Sequence, residues 1–269
     1  MHFGNEEIKM KAYIQCGKSG MPFNETVFNA YDGFSDMGVE TCFFRTEADC
    51  ASAAPADILV GGLGPLKSHL QRLGCVYPEL DYPVELVPYL GRKIWTSTIN
   101  QISNSPECWP VFVKPVIDKQ FIGRKISAIK DLIGCGCCDD DYEVLCSEAV
   151  DFRTEWRVFV RYGKVLDVRP YRGDWRLHFD ADIISCCVRD YTTIPAACAM
   201  DFGVTDDGRT LLVEVNDGFS VGSYGLESIA YAKFLESRWA ELTGTEDACD
   251  FANECALWVR ERNTSCPRQ

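Results

Sequence analysis

The stretch from Asp201 to Gly225, DFGVTDDGRTLLVEVNDGFSVGSYG, constrains this chain more than any other. It reads as two strands joined by a tight turn and followed by a glycine-rich loop. Asp207-Gly208 is the hairpin signal, because both central residues of a type I′ turn take positive φ. Pairing Asp206 with Arg209 across that turn places Asp201 directly opposite Glu214. Side chains alternate along a strand. Leu212, Glu214 and Asn216 therefore share one face with Asp201, and Met200, Phe202, Val204, Leu211, Val213 and Val215 make the other. One face is apolar and buried, and the other carries two carboxylates and an amide. Opposed carboxylates repel unless a cation or a proton lies between them. All-oxygen ligands favour a hard ion, and Mg²⁺ in particular is held by one or two carboxylates together with substrate phosphates. The alternative is a half-exposed hairpin with two acids on its wet face.

A chain of 269 residues can bury a sizeable core and hold one large domain or two to three lobes. No apolar run reaches the length that crosses a bilayer. The N-terminus, MHFGNEEIKMK, has no apolar segment behind a basic start, so no secretory signal is expected. The net charge of −13 argues against a nucleic-acid partner, though not against a local basic pocket. Fifteen cysteines without a secretory signal are expected as reduced thiols in a cytoplasmic protein. Cys135, Cys137 and Cys138 cluster, but no second ligand pair follows at regular spacing, Cys186-Cys187 is no better, and His2, His69 and His178 are isolated. Small buried residues or free thiols are the expectation over a structural zinc.

In chain order, Lys11 to Gln15, Val39 to Phe44 and Asp57 to Val60 read as strands. Helices are expected from Asn24 to Met37, capped by Asn24 or Glu25, and from Leu66 to Leu73, stopped by Gly74. This is a small α/β lobe. Gly61, Gly62 and Gly64 match neither common phosphate-loop spacing, so they read as a strand-to-helix turn. Residues 76–110 are punctuated by proline and read as a connector with a helix through Ile102. Val111 to Val116 is a strand interrupted by Lys114, which either snorkels to an edge or meets an anion. Lys119, Arg124 and Lys125 surround Gly123 in a basic turn that either closes over phosphates or is a solvated hairpin. A short helix over Ala128 to Ile133 and a strand over Glu143 to Cys146 lead to Ser147-Glu148-Ala149-Val150.

Residues 154–172 form a second hairpin in which Glu155, Arg157 and Phe159 share a face. A three-residue loop puts Arg169 opposite Arg157 and a two-residue loop puts Val168 there, and both stay open at this point. Helices are expected over Asp182 to Tyr191 and Tyr224 to Leu242, with a further amphipathic stretch near Phe251 to Val259. No internal repeat is found.

Two local patterns mislead. Asp201-Phe202-Gly203 spells a kinase tripeptide, but neither the glycine-rich loop nor the catalytic loop of a protein kinase precedes it. Lys114 is followed by Pro115 and lacks the KxDG setting of a nucleotidyl-transfer lysine. What survives is a set in order: Lys114, the basic turn, Ser147 to Val150, a hairpin bearing Arg157, and a hairpin bearing Asp201, Glu214 and Asn216. Cations that meet phosphate oxygens and acids that meet Mg²⁺ on those phosphates are the equipment of phosphoryl transfer.

Lys114 in FVKP, Glu155-Trp156-Arg157 before VFV, and Asp201 followed by Glu214 and Asn216 resemble the ATP-grasp superfamily, in particular its small branch defined by two arginines and a lysine. The resemblance covers about Val111 to Leu242, and the run EVNDGFSVGSYG is its most specific part. It implies an α/β fold of α+β lobes: a small N-terminal α/β lobe with connector over 1–105, a central lid lobe over 106–150 and a C-terminal antiparallel-sheet lobe over 151–269. It implies ATP and Mg²⁺ as cofactors. Lys114 would touch the α- and β-phosphates, and Lys119 with Gly123 would form the lid. Ser147, Glu148, Ala149 and Val150 would receive adenine, with Glu148 or Glu155 near the ribose and Leu212 under the base. Asp201, Glu214 and Asn216 would hold the metal, and Arg157 with Arg169 or Arg172 would face the γ-phosphate and the acyl-phosphate. The implied activity is carbon–nitrogen ligation between a carboxylate and a small-molecule, amino-acid or peptide acceptor. A small-molecule kinase and a non-catalytic ATP-binding module are the alternatives. Ser220, Gly222, Ser223 and Tyr224 sit where an acceptor would be gripped.

Overall fold

The computed structural model describes residues 10–78, 80–117, 120–136 and 140–251. The N-terminal lobe has β1 (Lys11–Gln15), α1 (Glu25–Asp36), β2 (Glu40–Phe44), β3 (Ile58–Val60) and α2 (Leu63–Arg72). Its three strands are parallel in the order β2-β1-β3. Asn24 caps α1, its side chain accepting from the Val27 amide at 2.9 Å. The helix turns Val27, Ala30, Gly33 and Phe34 inward, one per turn or nearly so. Helix α2 begins earlier than expected, at Leu63, with Pro65 in its first turn, where the missing N–H costs nothing.

The linker carries the single-turn α3 (Val87–Leu90). Next come β4 (Ile94–Thr98), α4 (Ile99–Ser103), β5 (Val111–Pro115), β6 (Arg124–Ile126) and β7 (Glu143–Glu148). These strands form an antiparallel sheet in the order β4-β7-β5-β6. Residues 94–103, expected as connector, thus supply an edge strand and a helix to the central lobe. The prolines that suggested a linker flank these elements, Pro78, Pro83 and Pro88 before β4 and Pro106 and Pro110 after α4, and none falls within them. Val111, Val113, Ile126, Val144 and Cys146 pack with Ile99 and Ile102 into a core of their own. The helix expected over Ala128 to Ile133 is a 3₁₀ turn, Ile129–Leu132.

The C-terminal lobe has β8 (Phe152–Arg161), β9 (Lys164–Gly173), α5 (Ala181–Asp190), β10 (Ala197–Thr205), β11 (Thr210–Asp217) and α6 (Ser228–Thr243). Its antiparallel sheet runs β11-β10-β8-β9. One face, with Val158, Val160, Met200, Phe202 and Val215, packs on Ile184, Cys187 and Val188 of α5 and on Leu86 and Leu90. From the other face Phe159, Ala197 and Ala199 enter the core of the N-terminal lobe, alongside Ile14, Phe34, Phe234 and Trp239. The two terminal lobes share a core, whereas the central lobe has its own. The stretch expected to be amphipathic beyond Phe251 lies outside the described residues, as do Cys137 and Cys138.

Both hairpins depart from simple registers. At the β10–β11 turn only Gly208 takes positive φ, +81°, so this is not a type I′ turn. The Gly208 amide donates to the Thr205 carbonyl at 3.0 Å and the Thr205 amide to the Arg209 carbonyl at 3.0 Å. That is a three-residue loop with its glycine in the left-handed position. The type I′ turn is at the other hairpin, where Tyr162 and Gly163 have φ of 48° and 68°.

Candidate functional site

Strands β10 and β11 carry the carboxylates. Next to the turn Phe202 pairs with Leu212, a register that continued would set Val213 opposite Asp201. A bulge at Val213 shifts the pairing, so Asp201 lies opposite Glu214, Met200 opposite Val215 and Ala199 opposite Asn216. The expected pairing of Asp201 with Glu214 therefore holds, although the loop is one residue longer than expected. The same bulge corrects Leu212. It was expected on the carboxylate face, but it lies opposite Phe202, fully buried in the cluster with Met200 and Val215.

On β8 and β9, Arg161 pairs with Lys164 across the two-residue turn, yet Arg157 pairs with Arg169. A bulge between Phe159 and Val160 supplies the extra residue, so neither simple register described for this hairpin accounts for it. A second irregularity sets Arg172 opposite Glu155. Arg157 and Arg169 are therefore neighbours on one face, with Arg172 two pairs away.

The side chains converge. Arg157 donates to both oxygens of Asp201, Nε to Oδ1 at 2.8 Å and Nη2 to Oδ2 at 2.7 Å, and both residues are buried. The Asn216 amide nitrogen lies 3.2 Å from Asp201 Oδ2 and 3.5 Å from Glu214 Oε1. Lys114, reaching across from β5, donates to Glu214 at 3.2 Å and to Asp81 at 2.7 Å. Burial alone would lower the Lys114 pKa, but Glu214, Tyr82 and Asp81 outweigh it and hold the ammonium well above its ordinary value. Burial pushes the Asp201 carboxyl up, Glu214 and Glu155 add to this, and the Arg157 guanidinium pulls it back.

These residues fit a hard cation. The Asn216 NH₂ occupies the space between two carboxylates that a cation would satisfy, and half a turn of that amide presents an oxygen there instead. Among the described residues no group of three His, Cys, Asp or Glu is gathered for a metal, so the amide is needed to complete the set.

The other expected residues divide. Gly123 backs onto β5, where an added Cβ would lie 3.0 Å from the Phe112 ring and 3.1 Å from Lys114 Cβ. Lys119 lies outside the described residues. Ser147 is buried on β7, and Glu148 closes that strand, accepting from the Lys93 amide at 2.9 Å. Ala149 and Val150 are half-buried in the link from β7 to β8. Glu155 is engaged internally, taking the Tyr171 hydroxyl at 2.6 Å and Arg172 at 2.6 Å. The Arg169 Nε is buried without a hydrogen-bond partner, while its Nη2 meets Asp167. Ser220 donates to the Gly61 carbonyl at 3.4 Å and the Ser223 amide to Thr26 Oγ1 at 3.5 Å, joining this loop to the N-terminal lobe. Gly222 lies against the ring of Tyr224.

Tyr224 has φ of 44°, a strained value for a bulky residue, and its ring stacks on Tyr171 at 5.1 Å. The Arg157 guanidinium sits 4.9 Å from the Tyr224 ring and 5.6 Å from that of Tyr171. Tyr171, Tyr82, Asp81 and Arg92 were not foreseen in the site. Tyr171 enters only through the β9 irregularity, and Asp81 meets Lys114 across 33 residues of sequence. Neither contact leaves a local signal in the chain.

A parallel lobe sharing its core with a four-stranded antiparallel sheet, and a second antiparallel lobe whose lysine reaches that sheet's carboxylates, define the ATP-grasp architecture. Residues 89–234, more than half of the chain, match an ATP-grasp domain family, the second family of the clade named for two arginines and a lysine, and the chain belongs to that family. Among solved structures, D-alanine–D-alanine ligase from Bacillus anthracis is similar over 94% of this chain and 99% of its own, at 15% identity and a TM-score of 0.50. The same ligase complexed with ATP matches over 94% of this chain and 98% of its own, at 14% identity and a TM-score of 0.50. D-cycloserine synthetase DcsG covers 85% of this chain and 99% of its own, at 11% identity and a TM-score of 0.51. At these identities the likeness is one of fold. No curated protein matches the chain in sequence. Among the described residues no helix is long and apolar enough to cross a membrane.

Proposed function

We propose that this protein is an ATP-dependent carboxylate–amine ligase that joins a carboxylate to a small-molecule, amino-acid or peptide amine through an acyl-phosphate. The observation that carries this reading is the direct opposition of Arg157 and Arg169 beside the Asp201, Glu214 and Asn216 set, with Lys114 opposite. Asp201 and Asp167 each neutralise one of the two arginines, but the buried Arg169 Nε is left without an acceptor. An acyl-phosphate formed between the arginines and the carboxylate set would supply one.

In this reading Lys114 binds the α- and β-phosphates once Asp81 yields it. Lys119 and Gly123 belong to the lid, and Ser147 to Val150 line the adenine side with Glu148 near the ribose. Asp201, Glu214 and Asn216 would hold Mg²⁺, which neutralises phosphate charge when bound. The substrate carboxylate oxygen attacks the γ-phosphorus and ADP leaves. The amine then attacks the acyl carbon, phosphate leaves, and the amine loses a proton. Arg157 and Arg169 hold the anion through both steps. Arg172, 69% exposed and paired with Glu155, stands behind them. Ser220, Gly222, Ser223 and Tyr224 face the acceptor. A cytoplasmic setting suits the free thiols, and the charge of −13 speaks against nucleic-acid partners.

The test is ADP release measured over panels of carboxylates and amines. Release that requires one of each, with amide in the product, supports ligation. A phosphorylated product with no amide would make the protein a kinase instead.

A further inference from the structure

Strand β11 lies at the edge of its sheet, so half of its backbone groups have no strand to pair with. The linker before β4 covers that edge. The Val215 amide donates to the Asp81 carbonyl at 2.9 Å. Arg92 donates from Nη1 to the Leu212 carbonyl at 2.7 Å and from Nη2 to the Val213 carbonyl at 2.6 Å, with Nη1 also 3.0 Å from the Leu90 carbonyl. Its guanidinium sits between the rings of Tyr82 and Phe152, 5.9 Å from each.

Successive carbonyls of a regular strand point to opposite edges. Those of Leu212 and Val213 both reach one guanidinium, which happens because the bulge at Val213 turns them the same way. A bulge leaves backbone acceptors without ladder partners, and Arg92 supplies the donors. The consequence for the site is one of register. Continued without the bulge, the Phe202–Leu212 pairing would set Val213 opposite Asp201 and turn Glu214 to the other face of the sheet.

We infer that Arg92 is a positioning residue: by holding the two bulge carbonyls it keeps Glu214 on the same face as Asp201, and so assembles the metal-binding set without touching it. This rests on the reading of Asp201, Glu214 and Asn216 as metal ligands. A lysine cannot replace the fork, because one ammonium does not present two parallel donors at fixed spacing.

The experiment is Mn²⁺ binding followed by electron paramagnetic resonance in the presence of a non-hydrolysable ATP analogue. The parent, Arg92→Met, Arg92→Lys and Glu214→Gln are compared, with thermal melting of each. Leaving two carbonyls unpaired predicts that Arg92→Met weakens Mn²⁺ binding by about tenfold or more, with Arg92→Lys between it and the parent. Mn²⁺ affinity at the parental value in cooperatively melting Arg92 variants, with affinity lost in Glu214→Gln, would overturn the inference alone. Undiminished affinity in Glu214→Gln would overturn the metal reading and the inference with it. Should Arg92→Met fail to melt cooperatively, Arg92→Lys decides by the same criterion.

Discussion

Asp201 and Glu214 face each other but are not equivalent side chains. Asp201 is 2% exposed and locked to Arg157 through two hydrogen bonds, whereas Glu214 is 30% exposed and shares Lys114 with Asp81. Removing one partner of a buried pair strands the other charge, so Asp201→Ala should destabilise by about 3 kcal/mol in urea unfolding. Glu214→Gln should change stability by under about 1 kcal/mol while abolishing Mg²⁺-dependent ADP release. Loss of the fold in Glu214→Gln would point to a structural role for that acid. Away from the site, Glu236 on α6 is buried with neither oxygen in a hydrogen bond of proper geometry, and burial pushes its pKa up from 4.5 to about 9. The folded state then binds a proton that the unfolded state releases, so stability falls as pH rises from 4.5 towards 9. Glu236→Gln should raise the Tm at pH 8 by roughly 5 °C and flatten the decline between pH 5 and pH 9, read from melts across that range.

Bulges act at the scale of the element. In each hairpin the turn and the bulge together decide which side chains meet, and the turn alone gives a different answer. The β8–β9 register makes Arg169, not Arg172, the neighbour of Arg157. Arg169→Ala should therefore lower kcat for ligation by about a hundredfold or more, as expected for a lost anion-stabilising donor. Arg172→Ala, which removes only the exposed partner of Glu155, should cost less than about tenfold. Steady-state kinetics of the two variants side by side would reverse the assignment if Arg172→Ala were the more damaging.

At the scale of the molecule, the terminal lobes are held by one core, and α1 lies directly against α6. A Cβ on Gly33 would overlap the Ser228 carbonyl oxygen, a backbone atom that cannot step aside. Gly33→Ala should cost roughly 3 kcal/mol through overpacking, seen as a lower urea midpoint with unchanged slope. The central lobe meets the others through polar side chains at the site, with Lys114 between Asp81 and Glu214, and through Ile94 of β4, which packs against the cluster of Val158, Met200 and Val215 rather than the shared core. A lobe joined this way can move relative to the shared core without breaking it, which suits a cleft that must admit a nucleotide.

Period-two alternation and the order of Lys114, Arg157, Asp201, Glu214 and Asn216 were enough, by themselves, to determine the two hairpins and the family, whereas the Asp207-Gly208 turn put the two acids opposite each other only because a longer loop and a bulge offset one another. These are local or order-dependent properties, and a strand's alternation does not need its neighbours to be seen. Only the tertiary structure decided that Val213 bulges, that Leu212 faces the core, that Arg169 meets Arg157, and that Asp81, Tyr82 and Arg92 border the site. A bulge is chosen by the free energy of both strands together with whatever satisfies its stranded carbonyls, and here that partner comes from about 120 residues away. No window of sequence contains both sides of such a contact.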